Sequence, residues 1–503
     1  MKKIFLLCIF VLLLTGCNTE NELIKKYPGA HVISLNESSA TIDGQPIKEY
    51  DYTWHIDNTK VHDEVENSPA EYHTGTKPED TIYLDHDLVY FPKQDESEFK
   101  IVDYDGEKEY ASYYKDGQND EYIFSTLPSF RNFPSNMMHT EEEASQNVVL
   151  HIKEAGTYIL SGSFNGQINI SLDDEDAFTN PEDKVTIVLN GVDIKCTVAP
   201  AIIFDNLYEC DNTWEEHESS NIIDTNDAGA NVIIVDGSSN TVKGANIYRI
   251  LKTKYKDEES KEIIKVQKKA YKIDAAFYSY VSINVDGEEK DDGELLIEST
   301  FEGFDSELHF TINGGNVVIN SQDDGINVNE DDVSVLTING GTIKIYAGLG
   351  QEGDGIDSNG FITLNGGKLC VYSIEPPDNY VDSELGILCN GGEVYLDDKL
   401  YDMQLGQTVW EIGNERGRDR QKFGINPEDP GINNEFDIKE FKKKVAELDD
   451  TATIQDVYEL LGSNMMIPKD NFRFEGDDNF DPSQMGEPPM DEMPRGQEPL
   501  EKK

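Results

Sequence analysis

The chain has 503 residues, 99 of them acidic and 42 basic, for a formal net charge of -57. A surface of that sign repels polyphosphate, which argues against nucleic acid as a partner, and it can hold an acidic polymer only with cations between the two. Hydrophobic residues at 37% and aromatic residues at 10% still suffice for packed domains, so the chain is not simply disordered.

Residues 1–16 read as a secretion signal. Lys2 and Lys3 precede an apolar run over 4–14 that is too short to span a bilayer and gives way at once to polar chain. Leu14-Thr15-Gly16-Cys17 resembles the bacterial lipoprotein cleavage box. That resemblance implies a lipidated Cys17 as the first mature residue, at the extracytoplasmic face of the membrane. Acyl chains at one residue hold a soluble domain on the membrane surface when more than one is attached. An ordinary signal with a chance cysteine is the alternative. No later apolar stretch approaches spanning length.

Residues 17–147 are polar, Tyr-rich and without a repeat. Runs such as Thr81-Ile82-Tyr83-Leu84 and Tyr122-Ile123-Phe124 predict short strands in a small β-rich accessory region. Glu141-Glu142-Glu143 is expected on a short helix entering the next domain.

Residues 148–405 form the main domain. Val148-Val149-Leu150-His151-Ile152, Gly156-Thr157-Tyr158-Ile159-Leu160-Ser161-Gly162 and Val185-Thr186-Ile187-Val188-Leu189-Asn190-Gly191 read as strands with Gly or Asn at their corners. A basic, polar insertion over 252–272 reads as a surface loop. Asn-Gly-Gly then recurs at Asn313, Asn339, Asn365 and Asn390, in steps of 26, 26 and 25 residues. Such a period belongs to stacked units, each too small to bury a core alone.

Apolar positions superpose at this period: Val317, Ile343, Leu369 and Val394; Ile319, Ile345, Val371 and Leu396; Phe310, Leu336, Ile362 and Ile387. Rows with alternating spacing require strands stacked in parallel register. Asn-Gly supplies a corner tolerant of positive φ. The Leu-x-x-Leu-x-Leu frame of a leucine-rich repeat is missing. The predicted class is all-β, a right-handed parallel β-helix.

Residues 406–476 are expected to form a helical cap, with amphipathic segments over 435–448 and 454–461 covering an otherwise open strand edge. Residues 477–503, rich in Pro, Gly, Met and acid, read as a disordered tail.

Cysteine is too sparse for a disulfide scaffold. Cys389 falls in the row of Ile312, Ile338 and Leu364, a core position, whereas Cys370 aligns with Val318, Lys344 and Tyr395, an outward one. Cys196 and Cys210 are left either paired or free.

One corner of the repeat is acidic. Asp305, Asp357 and Asp382 each lie eight residues before an Asn-Gly-Gly, each is followed by serine, and the next residues are Glu307, Asn359 and Glu384. Glu302-Gly303-Phe304-Asp305, Asp323-Asp324-Gly325-Ile326-Asn327 and Asp354-Gly355-Ile356-Asp357 share one frame. Either these side chains point to solvent and repel weakly, or a hard divalent cation sits among them. Calcium takes six to eight oxygen ligands, and glycine permits close backbone approach. No thiolate or imidazole cluster suggests zinc or copper.

Together the Gly-Thr-Tyr-Ile-Leu-Ser-Gly run at Gly156, the Val-Leu-Asn-Gly-Val run at Val188, Asp323-Asp324-Gly325-Ile326-Asn327 and the Gly-Asp-Gly-Ile-Asp-Ser-Asn-Gly run at Gly353 resemble the secreted bacterial carbohydrate-binding β-helix family, related in fold to polysaccharide lyases. The resemblance covers roughly 148–400. It implies a right-handed parallel β-helix, bound calcium, and attachment to plant cell-wall polymers such as cellulose and polygalacturonate (pectate).

Three functions are open. In the first, the chain binds glycan without cleaving it. Tyr346 and Tyr372 superpose on an outward strand with Tyr380 and Tyr395 near, either as sugar platforms or as a ladder stiffening the stack. Trp54, Trp214 and Trp410 lie outside the clean repeat and have no assigned place. In the second, it is a lyase or hydrolase. That chemistry needs a base near a neutralised carboxylate, or two opposed carboxylates. No Arg occurs between Arg249 and Arg416, only Lys344, Lys368 and Lys399 are basic between His309 and Leu400, and Gly-His-Gly and Arg-Ile-Lys motifs are missing. In the third, it is a structural adhesin stiffened by calcium. The expected reading is the first, non-catalytic one.

Overall fold

A computed structural model describes residues 22–63, 68–89, 93–94, 144–214, 220–245, 251–257, 262–269, 273, 275–321, 323–347, 353–373 and 380–413. The expected signal with Cys17, the runs at 122–124 and 141–143, the two amphipathic segments and the tail lie outside the described residues.

The fold is all-β, and most of its strands join one large, mostly parallel sheet. Three columns of strands build it. In the first, Ala275–Ser279 pairs with Glu302–Ser306, then Ile326–Val328, Ile356–Ser358 and Val381–Cys389. In the second, Ile283–Gly287 pairs with Phe310–Ile312, then Val335–Ile338, Phe361–Leu364 and the end of Val381–Cys389. In the third, Glu294–Ser299 pairs with Asn316–Asn320, then Thr342–Ala347, Lys368–Ser373 and Glu393–Leu396. The chain visits the columns in turn, so each strand pairs with the third strand after it until the last repeat, where Val381–Cys389 serves both the first and second columns.

The three apolar rows read from the sequence are the observed rows. Phe310 stands opposite Leu336, Leu336 opposite Ile362 and Ile362 opposite Ile387. Ile319, Ile345 and Val371 follow one another in the third column and are fully buried. Strand side chains alternate faces, so one set of positions lines the core along the stack. Phe277, Phe304 and Phe310 stack within that core at centroid distances of 4.6 and 4.1 Å.

The Asn-Gly-Gly corner has two reasons for its glycines. The second glycine takes positive φ, 88° at Gly315, 78° at Gly341, 75° at Gly367 and 83° at Gly392. The first lies against the previous repeat: a Cβ at Gly340 would stand 2.4 Å from the Asn313 carbonyl oxygen. The asparagines do more than turn the chain. Asn313 Nδ2 donates to Asp286 Oδ1 at 2.9 Å, Asn339 to Asn313 Oδ1 at 2.8 Å, Asn365 to Asn339 Oδ1 at 2.9 Å and Asn390 to Asn365 Oδ1 at 3.0 Å. Asn339→Ala breaks two rungs of this exposed ladder. It is expected to cost about 1 kcal/mol, because water recovers part of each bond. Urea unfolding measures the loss, and an unchanged midpoint would show the ladder to be inert.

Several expectations need correction. Strands before 148 reach into the main sheet: His31–Glu37 pairs in parallel with Gly156–Ile170, and Ile82–Asp85 pairs with Val148–Ile152. The hairpin Tyr52–Asp63 with Ser68–Gly75 forms a small separate sheet. The insertion expected as a loop contains an antiparallel hairpin, Leu251–Asp257 with Glu262–Lys269. Cys370 has the expected register but is buried at 4% exposure. Cys196, Cys210, Cys370 and Cys389 are all free thiols.

Candidate functional site

The acidic corner is built on a row of glycines in the first column. A Cβ at Gly325 would stand 2.1 Å from Ile345 Cγ2 and 2.5 Å from the Gly355 carbonyl oxygen, and Gly303 and Gly355 are equally crowded. Backbone therefore packs on backbone here, and the acids flanking each glycine are drawn together from successive repeats. Asp305 stands opposite Asn327, and Asn327 opposite Asp357. Val381 opposite Ile356 places Asp382 next in the row.

Asp354, Asp357 and Asp382 converge: their carboxylates can each offer an oxygen within 4.8 Å of the others. The backbone N–H of Asp354 donates to Asp324 Oδ1 at 2.6 Å, tying the preceding repeat to the trio. Burial, then the Asp382 carboxylate, pushes the Asp357 carboxyl up to about 6. Burial raises Asp324 well above the usual carboxylate range, with Asp323, Glu302, Asp357 and Asp354 adding to it in that order. Such groups are costly to ionise together, and either protons or a metal ion relieves the cost.

Asn327 is 8% exposed, and its Nδ2 donates to Glu302 Oε1 at 3.1 Å. Its carbonyl oxygen Oδ1 is buried with no hydrogen-bond partner. A buried amide oxygen left this way beside carboxylates is suited to a cation, since an unmade hydrogen bond costs about 1–3 kcal/mol. Asp354, Asp357, Asp382 and Asn327 are thus all oxygen donors, which suits calcium better than a softer metal.

The corner is less open than the sequence implies. Asp305 is fully buried and Glu302 is 7% exposed. The four extra residues after Asn327 explain this. They fold back, with Asn329 N–H on the Ser306 carbonyl and Glu330 N–H on the Glu307 carbonyl. Asn329 Nδ2 then donates to Asp305 Oδ1 at 2.8 Å. Glu307, Asn359 and Glu384 are not drawn into the trio. Glu307 accepts from the Tyr278 hydroxyl at 3.0 Å, Asn359 donates to Asp331 Oδ1 at 2.8 Å, and Glu384 is exposed, with its carboxyl raised by burial and then by Asp331 and Asp332. Sequence reasoning left Asn329 and Glu411 off the site. Glu411 lies on the strand Gln407–Ile412, antiparallel to the last first-column strand, directly opposite Asp382.

The tyrosines give a different result from the one expected. Tyr346 and Tyr372 occupy adjacent register positions as read, but Tyr346 is buried at 5% exposure and its ring stacks on Tyr372 at 4.5 Å and 10°. One face of each ring is spent on the other. The Tyr372 hydroxyl donates to Asp398 Oδ1 at 2.6 Å, and the Tyr380 hydroxyl bonds Asp397. Tyr395 lies under the Lys368 ammonium at 4.4 Å. Of the three tryptophans, Trp214 packs edge-on against Phe178, Trp54 is half-buried, and Trp410 is exposed.

Residues 146–419 match the family described as carbohydrate-binding domain-containing protein. No curated protein and no solved structure matches the chain.

Proposed function

The chain belongs to the carbohydrate-binding domain-containing family, and from that premise we propose that it is a lipid-anchored surface protein that holds polysaccharide, with calcium, and does not cleave it. The match over 146–419 is the observation that carries the reading. Its three columns, visited in turn and paired in parallel, wind as a right-handed parallel β-helix, the hand that parallel crossovers favour. Asp354, Asp357 and Asp382, with Asp324 and Asn327 of the preceding repeat, would hold calcium. There it neutralises carboxylates that would otherwise repel an acidic glycan. The glycan is a cell-wall type such as pectate or cellulose.

Among the described residues, the placement of two of the cations supports the reading without cleavage. Lys344 is exposed on the third column, and Lys368 is held over Tyr395, so neither sits at the first-column acids as a lyase base would. Incubation with polygalacturonate and cellulose in calcium, followed by assay for unsaturated and reducing ends, is expected to show none above the blank. New ends that vanish in Asp324→Asn would make the protein an enzyme instead. The anchor has its own test: Cys17→Ala should move the protein from the membrane fraction to the soluble one, and continued membrane association would remove the lipid from the account.

The Tyr346–Tyr372 stack and the asparagine ladder favour a second reading, a stiff structural adhesin in which calcium only reinforces the stack. Failure to retain any glycan would select it.

A further inference from the structure

Asp382 has a further acidic neighbour, which arrives on a strand running the other way. Gln407–Ile412 returns antiparallel along Val381–Cys389, and Glu411 stands directly opposite Asp382. Val381 and Ile412, the pair beside them, are both fully buried. Alternation therefore sends Asp382 and Glu411 together to the outer face, with Cβ atoms about 5 Å apart. The same parity holds along the row, because Ile326 and Ile356 are also fully buried. Asn327, Asp357, Asp382 and Glu411 are thus successive outward residues on four neighbouring strands.

Two like charges directly opposite each other weaken an antiparallel pair. The register breaks between Asp382 and Ile387, so on the acidic side of the break the return strand pairs through Val381–Ile412 and Asp382–Glu411. Half of that short stretch is a carboxylate facing a carboxylate. The charged neighbours that act on Asp357 and Asp324 are carboxylates as well. A hard divalent cation reverses the sign of this contact, since it takes oxygens from both strands at once. Asn327 gives an uncharged pointer to the same ion. Its Nδ2 donates back to Glu302 of the preceding repeat, which leaves the buried, unpartnered Oδ1 for the following repeat, where Asp357 stands in register.

We propose that Glu411 is a ligand of the same cation site as Asp357 and Asp382, and that calcium clasps the return strand to the last repeat. This rests on the calcium-binding reading and adds a consequence for the fold. Gln407–Ile412 covers the edge that Val381–Cys389 would otherwise leave open, so calcium controls the closure of that edge.

The test follows backbone hydrogen exchange in the full chain, in calcium and in chelator. Opening the return strand takes Glu411 away from the ion, and loss of one charged oxygen ligand should weaken calcium binding about tenfold. By linkage, saturating calcium opposes opening by the same factor, so exchange over 407–412 should slow about tenfold in the wild type. Glu411→Gln keeps the size and removes the charge. It should bind calcium about tenfold more weakly and lose the calcium response over 407–412. In chelator its exchange there should be no faster than in the wild type, because a repulsion has gone. A residue that merely braced the strand would give faster exchange in chelator when replaced, and that result would overturn the clasp. So would unaltered calcium affinity in Glu411→Gln, or wild-type protection by calcium over 354–358 with none over 407–412, and both would leave the cation site standing. No calcium response in either segment of the wild type would instead remove the cation site, and the clasp with it.

Discussion

Gly325→Ala is expected to lower stability by about 3 kcal/mol or more, beyond the usual range for a surface change and at the level of overpacking with no escape. The added methyl would stand 2.1 Å from Ile345 Cγ2 and 2.5 Å from the carbonyl oxygen of Gly355. The first neighbour is a buried core side chain and the second is backbone, so neither gives way cheaply. Gly406→Ala is the control. Gly406 has a φ of 77° but nothing within 4 Å of a built Cβ, so only the backbone penalty of about 1–2 kcal/mol applies. Urea unfolding of the two variants separates crowding from backbone strain. Equal losses would mean that successive repeats do not approach at this glycine row, and the convergence of the acids would lose its basis.

Without calcium, the protein is expected to melt at a higher temperature near pH 5 than near pH 7.5, the reverse of ordinary acid denaturation. Asp357 titrates at about 6 when folded and near 3.9 when unfolded. Between those values the folded state binds more protons. Stability is therefore greatest below the unfolded value and falls as pH rises through the folded one. Asp324 is raised in the same direction. For Asp357 the difference is about 1–3 kcal/mol once its partial exposure is allowed for. Calcium should do at neutral pH what protons do at low pH. Sites of extracellular affinity, about 0.1–1 mM, add about 2.7 kcal/mol at 100-fold excess of free ion. The double variant Asp354→Asn/Asp357→Asn should flatten the pH dependence, raise the calcium-free midpoint at neutral pH and lose most of the calcium shift. Identical wild-type midpoints at both pH values and with calcium, magnesium or chelator would rule out a cation site at this corner.

Much of this was legible in the sequence because a fixed corner and a two-residue side-chain period leave one register. Asn-Gly-Gly fixes the corner, and Phe310, Leu336, Ile362 and Ile387 then have to fall opposite one another, as they do. The same logic placed Asp305, Asn327 and Asp357 in one row. Parity says which face a side chain takes, but not what lies on that face. Asp305 is covered by Asn329, and Tyr346 is covered although its position is outward. The asparagine ladder exists only between repeats, so no single Asn-Gly-Gly reveals it. Glu411 comes from an antiparallel return strand that breaks the period, and nothing in its local sequence points to Asp382.

Retention of the purified full chain on immobilised polygalacturonate, in calcium and then in chelator, tests most directly whether this protein holds an acidic glycan through bound cation. Retention in calcium that is lost in chelator is the predicted result, because a chain of net charge -57 repels polyuronate until a cation stands between them. Passage through polygalacturonate and cellulose alike, with calcium present, would contradict it.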